Sequence, residues 1–231
     1  MSDKQLVAEH AASLIQDGMV VGLGTGSTAN LFIEALARRQ QQGLQISVVA
    51  SSVVSAIKAQ QASLSVLSIE QISQLDVYVD GADEVTIDLS LLKGRGYDLV
   101  REKLLANAAN DFWVLIDASK QVNYLGQHFP IPVEVMPFAW QLVQAQLSKL
   151  GANSQLRKQG DGLWITSHGS LVLDAVFEKA IAPQSLSQLL NDIPGVVEHG
   201  IFTLRNTAVF CASNGQIEAL SADKKLLLTV S

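Results

Sequence analysis

The sequence predicts an α/β protein with an open, mostly parallel sheet, helices on both faces, and a smaller inserted α+β domain. Three observations favour this fold. Hydrophobic residues make up 48% of the 231 residues and charged residues only 16%, which suits strands buried on both faces. Short apolar runs alternate with helical patterns over roughly the first 125 residues, as in β-α-β units. A proline-containing segment, 129–132, then marks a change of pattern.

The first half of the chain gives the main sheet. Apolar runs bounded by turn residues predict strands at 19–23, 46–50, 66–67, 77–79 and 112–116. Apolar spacing predicts an amphipathic helix over 28–39 and a weak helix through residue 57. Tyr97, Val100, Leu104 and Ala108 share one helical face. This order indicates a Rossmann-like, doubly wound sheet.

The second half reads differently. A helix is predicted over 139–150, strands over 162–166 and 170–176, a short helix over 183–190, and one further strand from 196–197 and 201–202. This non-alternating order is typical of a ferredoxin-like α+β unit. We therefore divide the chain into a catalytic α/β domain (1–128), a smaller α+β domain (129–206), and a strand-rich tail (207–231) that rejoins the first sheet.

Composition excludes several classes of protein. The net charge of −6 disfavours binding to nucleic acid or to an anionic membrane. The single cysteine, Cys211, excludes an intramolecular disulfide and a thiolate metal cluster. No stretch approaches the ~18–20 apolar residues of a membrane span, and the N-terminus lacks the apolar core of a signal peptide. We expect a soluble, cytoplasmic protein.

The segment 22–28, Gly-Leu-Gly-Thr-Gly-Ser-Thr, joins a buried strand to a helix and is the first candidate site. Glycines allow close approach of the backbone, and the amides of a helix N-terminus favour an anion such as phosphate. The third glycine is misplaced for a dinucleotide fingerprint, and the lysine of a Walker loop is absent. The alternative is a tight turn capped by Ser27 or Thr28.

The second candidate, residues 80–84, places Asp80, Asp83 and Glu84 after a strand that reads as central. Ligands of open α/β sheets bind at that edge, and neighbouring carboxylates suit acid–base chemistry. The alternatives are a divalent metal bound by Asp80 and Asp83, or a solvated acidic turn.

The third candidate is Lys93-Gly94-Arg95-Gly96 followed by Glu102. Lys93 could stabilise an oxyanion and Glu102 could act as a base; the alternative is a surface loop before a solvated helix start. Lys120 also follows a predicted strand. The four histidines lack the spacing of metal ligands.

These segments, in this order, resemble the type A family of ribose-5-phosphate isomerase. The likeness continues through 117–120 (Asp-Ala-Ser-Lys), 129–135 (Phe-Pro-Ile-Pro-Val-Glu-Val) and 191–197 (Asn-Asp-Ile-Pro-Gly-Val-Val), so it covers nearly the whole chain. It implies an aldose–ketose isomerase of the non-oxidative pentose phosphate pathway that needs no metal or organic cofactor. It also implies a sugar phosphate substrate and a homodimer or homotetramer.

The resemblance implies a role for each matching residue. Glu102 is expected to be the base that moves a proton between C2 and C1, Asp80 to assist ring opening, and Lys93 to stabilise the enediolate. The expected substrate-binding residues are Thr25, Gly26, Ser27, Thr28, Asp80, Gly81, Ala82, Asp83, Lys93, Gly94, Arg95, Gly96 and Lys120.

The sequence departs from the family pattern at Arg95, Tyr97 and Asp98, where small residues are usual, and its 50–55 segment has fewer hydroxyls. Two other functions remain open. A sugar-phosphate sensor would bind without turnover, and a coenzyme A transferase-like enzyme would form a thioester on a glutamate.

Overall fold

The computed structural model describes residues 2–96 and 98–221. Contacts divide them into two compact units. Among the described residues, the sheet unit contains 2–82, 101–120 and 204–221, and the α+β unit contains 83–96, 98–100 and 121–203. The sequence assigned 83–100 and 121–128 to the first domain. The short strands at 84–85 and 91–92 join residues 201–202 in one small sheet of the α+β unit. The boundaries of the predicted domains, 1–128, 129–206 and 207–231, stay predictions.

The described residues form the following elements. The helices are α1 (Asp3–Ser13), α2 (Ser27–Gln41), α3 (Val53–Gln61), α4 (Leu99–Ala108), α5 (Trp140–Lys149) and α6 (Pro183–Asn191). The strands are β1 (Val20–Leu23), β2 (Ser47–Ala50), β3 (Ser65–Leu67), β4 (Leu75–Asp80), β5 (Glu84–Val85), β6 (Leu91–Leu92), β7 (Ala109–Asp117), β8 (Ile131–Val135), β9 (Ala152–Leu156), β10 (Lys158–Gln159), β11 (Gly162–Leu163), β12 (Leu171–Phe177), β13 (Val196–His199), β14 (Ile201–Phe202), β15 (Thr207–Ser213) and β16 (Gln216–Ser221). Short 3-10 helices occupy Ile69–Gln71, Ala118–Lys120 and Pro137–Ala139.

The sheet unit contains a seven-stranded sheet in the order β16-β15-β7-β4-β1-β2-β3. Every neighbouring pair is parallel except β15 and β16. β15 and β16 return the tail to this sheet, while the predicted tail beyond residue 221 lies outside the described residues. The predicted open, mostly parallel sheet is confirmed.

Side chains of the central strand β4 alternate between the two faces of this sheet. Val77 and Val79 join a core with Phe32 and Leu36 of α2, to which α1 and α3 also contribute. Tyr78 points the other way and stacks on the ring of Phe112, with 5.1 Å between ring centroids. Helix α4 lies toward that second face, because the charge of its Glu102 acts on Tyr78. Helices therefore cover both faces, as predicted.

The α+β unit contains an antiparallel sheet in the order β13-β8-β12-β9. Chain order is β8-α5-β9-β12-α6-β13, which is the β-α-β-β-α-β arrangement of a ferredoxin-like fold. One face of this sheet buries its apolar side chains against the two helices; these residues are Val133, Val135, Leu173, Ala175, Val143, Leu147, Leu186 and Leu190. The predicted class of this second domain is confirmed.

Several predicted elements differ in extent. The strand predicted at 162–166 shrinks to β11, which pairs with β10. The strand predicted from 196–197 and 201–202 is two strands in different sheets, and Gly200 stands between them. A Cβ at Gly200 would lie 2.3 Å from the Lys93 carbonyl oxygen, so only glycine fits this crossing. None of the described helices is long and apolar enough to cross a membrane.

Candidate active site

The site in the sheet unit is built where parallel strands end together. In the register of the sheet, Leu23 at the end of β1 lies beside Ala50 of β2 and Val79 of β4. The segments that follow these three strands therefore begin side by side at one edge. The glycine-rich turn before α2 and the serines before α3 therefore lie at the same edge of the sheet as Asp80, the last residue of β4.

Asp80 is buried, with 1% of its surface exposed, and it ties two of these segments together. Its Oδ1 accepts hydrogen bonds from the backbone N–H groups of Thr25 (3.1 Å) and Gly81 (2.7 Å), and its Oδ2 accepts one from the Tyr78 hydroxyl (2.6 Å). A Cβ at Gly24 would lie 2.0 Å from Oδ1, so Gly24 is the residue that lets the turn approach the carboxylate.

Tyr78 donates a hydrogen bond to one of the two carboxylates that the sequence predicts to be catalytic, and the charge of the other acts on its hydroxyl. Burial raises the pKa of its hydroxyl well above the ordinary value, and the charges of Asp80 and Glu102 raise it further. The hydroxyl therefore stays protonated and donates to Asp80. Glu102 itself is buried, with 4% exposed. Sequence reasoning missed Tyr78 because an aromatic residue in a buried strand reads as core.

The hydroxyl of Thr25 lies in a cluster of buried serines. It donates to Ser52 Oγ at 2.7 Å and lies 3.2 Å from Ser51 Oγ and 3.0 Å from Ser55 Oγ. Ser55 in turn donates to the Gly24 carbonyl oxygen at 2.6 Å. The sequence analysis recorded this segment only as a departure from the family pattern, but its serines brace the turn that carries Thr25.

The N-terminus of α2 is open to a ligand. Gly26 occupies the N-cap position with φ of +116°, and no side chain caps the helix, contrary to the alternative in which Ser27 or Thr28 does so. Ser27 and Gly26 are exposed, and Thr28 is half-buried. Uncapped amides with no acidic residue in the first turn favour an anion.

One lysine lies near this helix start, and a second one acts on a carboxylate that the first also affects. Lys4 of α1 donates to Ser27 Oγ at 3.3 Å. Burial acts to raise the pKa of Asp117, but the hydrogen bonds from Ser119 and the charges of Lys4 and Lys120 outweigh it, so the pKa is lowered. Both lysines thus act on one carboxylate. Lys120 was predicted; Lys4 was missed because no motif surrounds it.

In the α+β unit, the segment Lys93–Gly96, here called the glycine loop, contains the third candidate. Lys93 is 4% exposed, its backbone N–H donates to the Gly200 carbonyl oxygen at 2.9 Å, and its Nζ lies 5.7 Å from the centre of the Phe202 ring. Gly94 has φ of +94°, which favours glycine. The surface-loop alternative fails for Lys93, because the side chain is buried.

Two of the departures from the family pattern have partners in this unit. The Arg95 guanidinium carbon lies 3.9 Å from the centre of the Phe129 ring, a cation–π contact. Asp98 is 3% exposed, accepts a hydrogen bond from the Ser167 hydroxyl, and lies 3.9 Å from His168 Nε2. Tyr97, the third departure, lies outside the described residues.

The carboxylates of Asp80 and Glu84 in the acidic segment 80–84 have different partners. The Asp83 N–H donates to the Leu92 carbonyl oxygen at 2.8 Å. Glu84, fully buried, accepts the backbone N–H groups of Gly126 (2.6 Å), His128 (2.6 Å) and Phe129 (3.0 Å), so it anchors a loop. Across residues 2–96 and 98–221, no three His, Cys, Asp or Glu side chains are grouped as metal ligands.

Comparison with known proteins decides the family. The sequence model of the family described as ribose 5-phosphate isomerase A (phosphoriboisomerase A) matches residues 47–216, more than half of the chain. The chain belongs to the ribose-5-phosphate isomerase A family. A ribose-5-phosphate isomerase A from Gloeobacter violaceus is 41% identical and covers 94% of this chain and 95% of its own. One from Thermococcus kodakarensis is 43% identical over 86% of this chain and 89% of its own.

Solved structures give the same assignment. Ribose 5-phosphate isomerase A from Methanocaldococcus jannaschii superposes with a TM-score of 0.89 at 37% identity, covering 95% of this chain and 98% of that one. A D-ribose-5-phosphate isomerase in complex with phospho-erythronic acid superposes with a TM-score of 0.91 at 38% identity, covering 95% and 97%. The predicted ribose-5-phosphate isomerase A family, fold class and isomerase class are confirmed.

Proposed function

We propose that this protein interconverts D-ribose 5-phosphate and D-ribulose 5-phosphate through an enediolate, with side chains alone supplying the acid–base chemistry. The observation that carries the proposal is the pair of buried carboxylates, Asp80 and Glu102, whose charges both act on the Tyr78 hydroxyl. They lie in a chain that is about 40% identical to named isomerases of this substrate over most of its length.

Glu102 is the proposed base. Aldose–ketose isomerisation needs one group that removes a proton from a carbon and returns it to the neighbouring carbon. A carboxylate fits this task, and a positioned base contributes typically 10²–10⁴-fold to the rate. Burial of Glu102 protects such a transfer from exchange with water.

Asp80 and Lys93 have the two supporting roles. Asp80 assists opening of the furanose ring, and its contacts with Thr25, Gly81 and Tyr78 hold its carboxylate in one orientation. Lys93 stabilises the negative oxygen of the enediolate, where a fixed cation acts most strongly because the group is shielded from water. Gly94, Arg95 and Gly96 shape the backbone next to this lysine, and Gly81, Ala82 and Asp83 line the sugar.

The phosphate is bound at the start of α2. The backbone amides of Gly26, Ser27 and Thr28 and the hydroxyls nearby supply donors, and Lys4 and Lys120 supply positive charge. Inorganic phosphate and phospho-erythronic acid are therefore expected to compete with ribose 5-phosphate.

The test is conversion of ribose 5-phosphate by the purified protein in EDTA, with Glu102→Gln alongside. Gln keeps the size of the side chain but cannot shuttle a proton, so we expect kcat to fall by roughly 10²–10⁴-fold with little change in KM. Glu34→Gln, which alters a half-exposed carboxylate on α2, is the matched control and should be unaffected.

Each failure has a distinct meaning. A folded wild-type protein that binds ribose 5-phosphate without turnover would contradict the isomerase function and favour a sensor. Normal turnover in Glu102→Gln would remove Glu102 as the base. Loss of activity in EDTA, restored by a divalent ion, would favour a metal at Asp80 and Asp83.

We also propose a homodimer that works in the cytoplasm. Support for self-association comes from exposed apolar side chains in the α+β unit: Phe138 is 84% exposed and Leu142, four residues later, 71%. Neighbouring apolar groups of this size are typical of protein interfaces. The mass in solution, measured by light scattering, tests the dimer, and a homotetramer is the alternative outcome.

A further inference from the structure

Arg157 holds the carbonyl group of the glycine loop. Its Nη1 donates to the Gly94 carbonyl oxygen at 2.9 Å. Its other donors bind Asp174 of β12 on two sides, with Nε to Oδ2 at 3.0 Å and Nη2 to Oδ1 at 2.5 Å. The side chains of Arg157 and Asp174 are only 12% and 24% exposed. The two charged groups are thus partly shielded from water, and each holds the other in its orientation.

The backbone of Arg157 is fixed as well. Its N–H donates to the Val172 carbonyl oxygen at 2.8 Å, and its carbonyl oxygen accepts the Trp164 N–H at 2.9 Å. A guanidinium group is planar, so two bonds to one carboxylate set the direction of the remaining donor. The donor that reaches Gly94 is therefore aimed by Asp174 and does not need to be ordered when substrate binds.

The contact controls the direction of Lys93. The peptide before Lys93 is tied through its N–H to the Gly200 carbonyl oxygen. The peptide after Gly94 is tied through its carbonyl oxygen to Arg157. Gly94, between these ties, has the positive φ that few other residues adopt. Without the second tie, the Gly94 carbonyl group would lose the hydrogen bond that fixes it, in a segment with two glycines directly after Lys93.

We propose that Arg157 is a positioning residue for the isomerase reaction, aimed by Asp174, and that it acts by holding the glycine loop so that Lys93 faces the enediolate. This inference rests on the proposed role of Lys93 and on nothing else in the proposed mechanism. Arg157 makes no contact with substrate in this scheme. Its effect falls on the transition state, because the negative oxygen that Lys93 stabilises develops only there.

The kinetic test compares Arg157→Ala, Arg157→Lys and Lys158→Ala. A displacement of about 1 Å in a catalytic group can cost about 10²-fold in rate, so Arg157→Ala should lower kcat by about 10–100-fold and change KM much less. Lysine restores the charge but lacks the planar fork, so Arg157→Lys should recover part of the loss. Lys158→Ala removes a neighbouring exposed charge and should behave as wild type.

A second readout does not depend on activity. Trypsin cleaves after Arg95, which is exposed in the glycine loop. Release of the loop in Arg157→Ala should speed this cut, identified by the mass of the fragments, while Lys158→Ala and wild type are cut at equal rates. Thermal unfolding of each variant, measured in parallel, shows that the assays are run on folded protein. If Arg157→Ala does not fold, Arg157→Lys, which keeps the ion pair, should still show the faster cut and the lower kcat.

The outcomes distinguish a failure of the positioning role of Arg157 from a failure of the proposed isomerase function. Wild-type kcat in folded Arg157→Ala overturns the positioning role, and so does an unchanged rate of cleavage after Arg95. A loss of stability with unchanged kcat gives Arg157 a structural role only and also overturns it. A wild-type protein without isomerase activity contradicts the proposed function, whereas the cleavage rates still show whether Arg157 holds the loop.

Discussion

The carboxylate of Asp80 is held by groups from the ends of two strands, β1 and β4. Some residues of the candidate site can be predicted from the sequence and others cannot. Asp80 directly follows an apolar run, so its position at a sheet edge could be predicted. The hydroxyls of Ser51, Ser52 and Ser55 come from the segment after β2 and the start of α3, and Lys4 from α1. Their partners lie more than 20 residues away in the sequence, which no short motif records.

Gly24 should be intolerant of a side chain. A Cβ there would lie 2.0 Å from Asp80 Oδ1 and 2.5 Å from its Cβ, so Gly24→Ala must push the carboxylate away from the Thr25 N–H. We expect kcat to fall by about 10²-fold or more, because displacement of a catalytic group by about 1 Å can cost that much. Gly162→Ala, whose added Cβ would meet nothing nearer than 3.8 Å, is the control. Wild-type kinetics in Gly24→Ala would show that Asp80 need not keep this position.

At the scale of elements, the small sheet of β5, β6 and β14 was the feature that the sequence least revealed. Its strands have two residues each, too few for a periodic pattern. β8 was missed for another reason: Pro130 and Pro132 were read as a boundary, but Pro132 lies within a strand that pairs on both sides. The strands β1, β4 and β7 were predicted because each contains an apolar run, at 20–23, 77–79 and 112–116, that is largely buried.

The loop 126–129 should depend on one side chain of β5. The Glu84 carboxylate accepts hydrogen bonds from three of the backbone N–H groups of this loop. Glu84→Gln replaces one of the acceptor oxygens with an NH₂ group, which then faces a donor. Hydrogen bonds to charged groups contribute about 1.5–3 kcal/mol each, so we expect a loss of about 3 kcal/mol in the free energy of unfolding. Urea denaturation measures it. Glu178→Gln, at an exposed position of the same unit, should change stability by less than about 0.5 kcal/mol. Equal stability of the two variants would show that the loop does not need the carboxylate.

At the scale of the molecule, the two units differ in how the sequence encodes them. The sheet unit follows from repeated β-α patterns, whereas the α+β unit depends on antiparallel pairings between distant strands, such as β8 with β12 and β13. The face of that sheet opposite its two helices carries a cluster of buried polar side chains. Glu134 of β8 lies there, fully buried, and its Oε1 accepts a hydrogen bond from the Thr166 hydroxyl at 2.8 Å.

The pH dependence of stability should reflect Glu134. Burial raises its pKa above 4.5; the hydroxyls of Thr166 and Ser170 and the charge of His168 oppose the shift, and the nearby Asp98 adds to it. In the window between the unfolded and the folded pKa, the folded protein binds more protons than the unfolded chain. The stability that this group provides is therefore full below about pH 4.5 and is lost as the pH rises through the folded pKa.

Glu134→Gln removes this titration while keeping an acceptor for Thr166. The stability of Glu134→Gln relative to wild type should therefore increase from pH 4 to pH 7 and then level off, as urea denaturation at a series of pH values would show. Glu178→Gln, which alters an exposed carboxylate, should show a flat difference over the same range. A difference that is flat or falls with pH for Glu134→Gln would mean that the buried carboxylate is as well stabilised in its charged form as it is in water. In that case the Thr166 hydroxyl and the His168 charge would match the effect of burial if the difference is flat, and outweigh it if the difference falls.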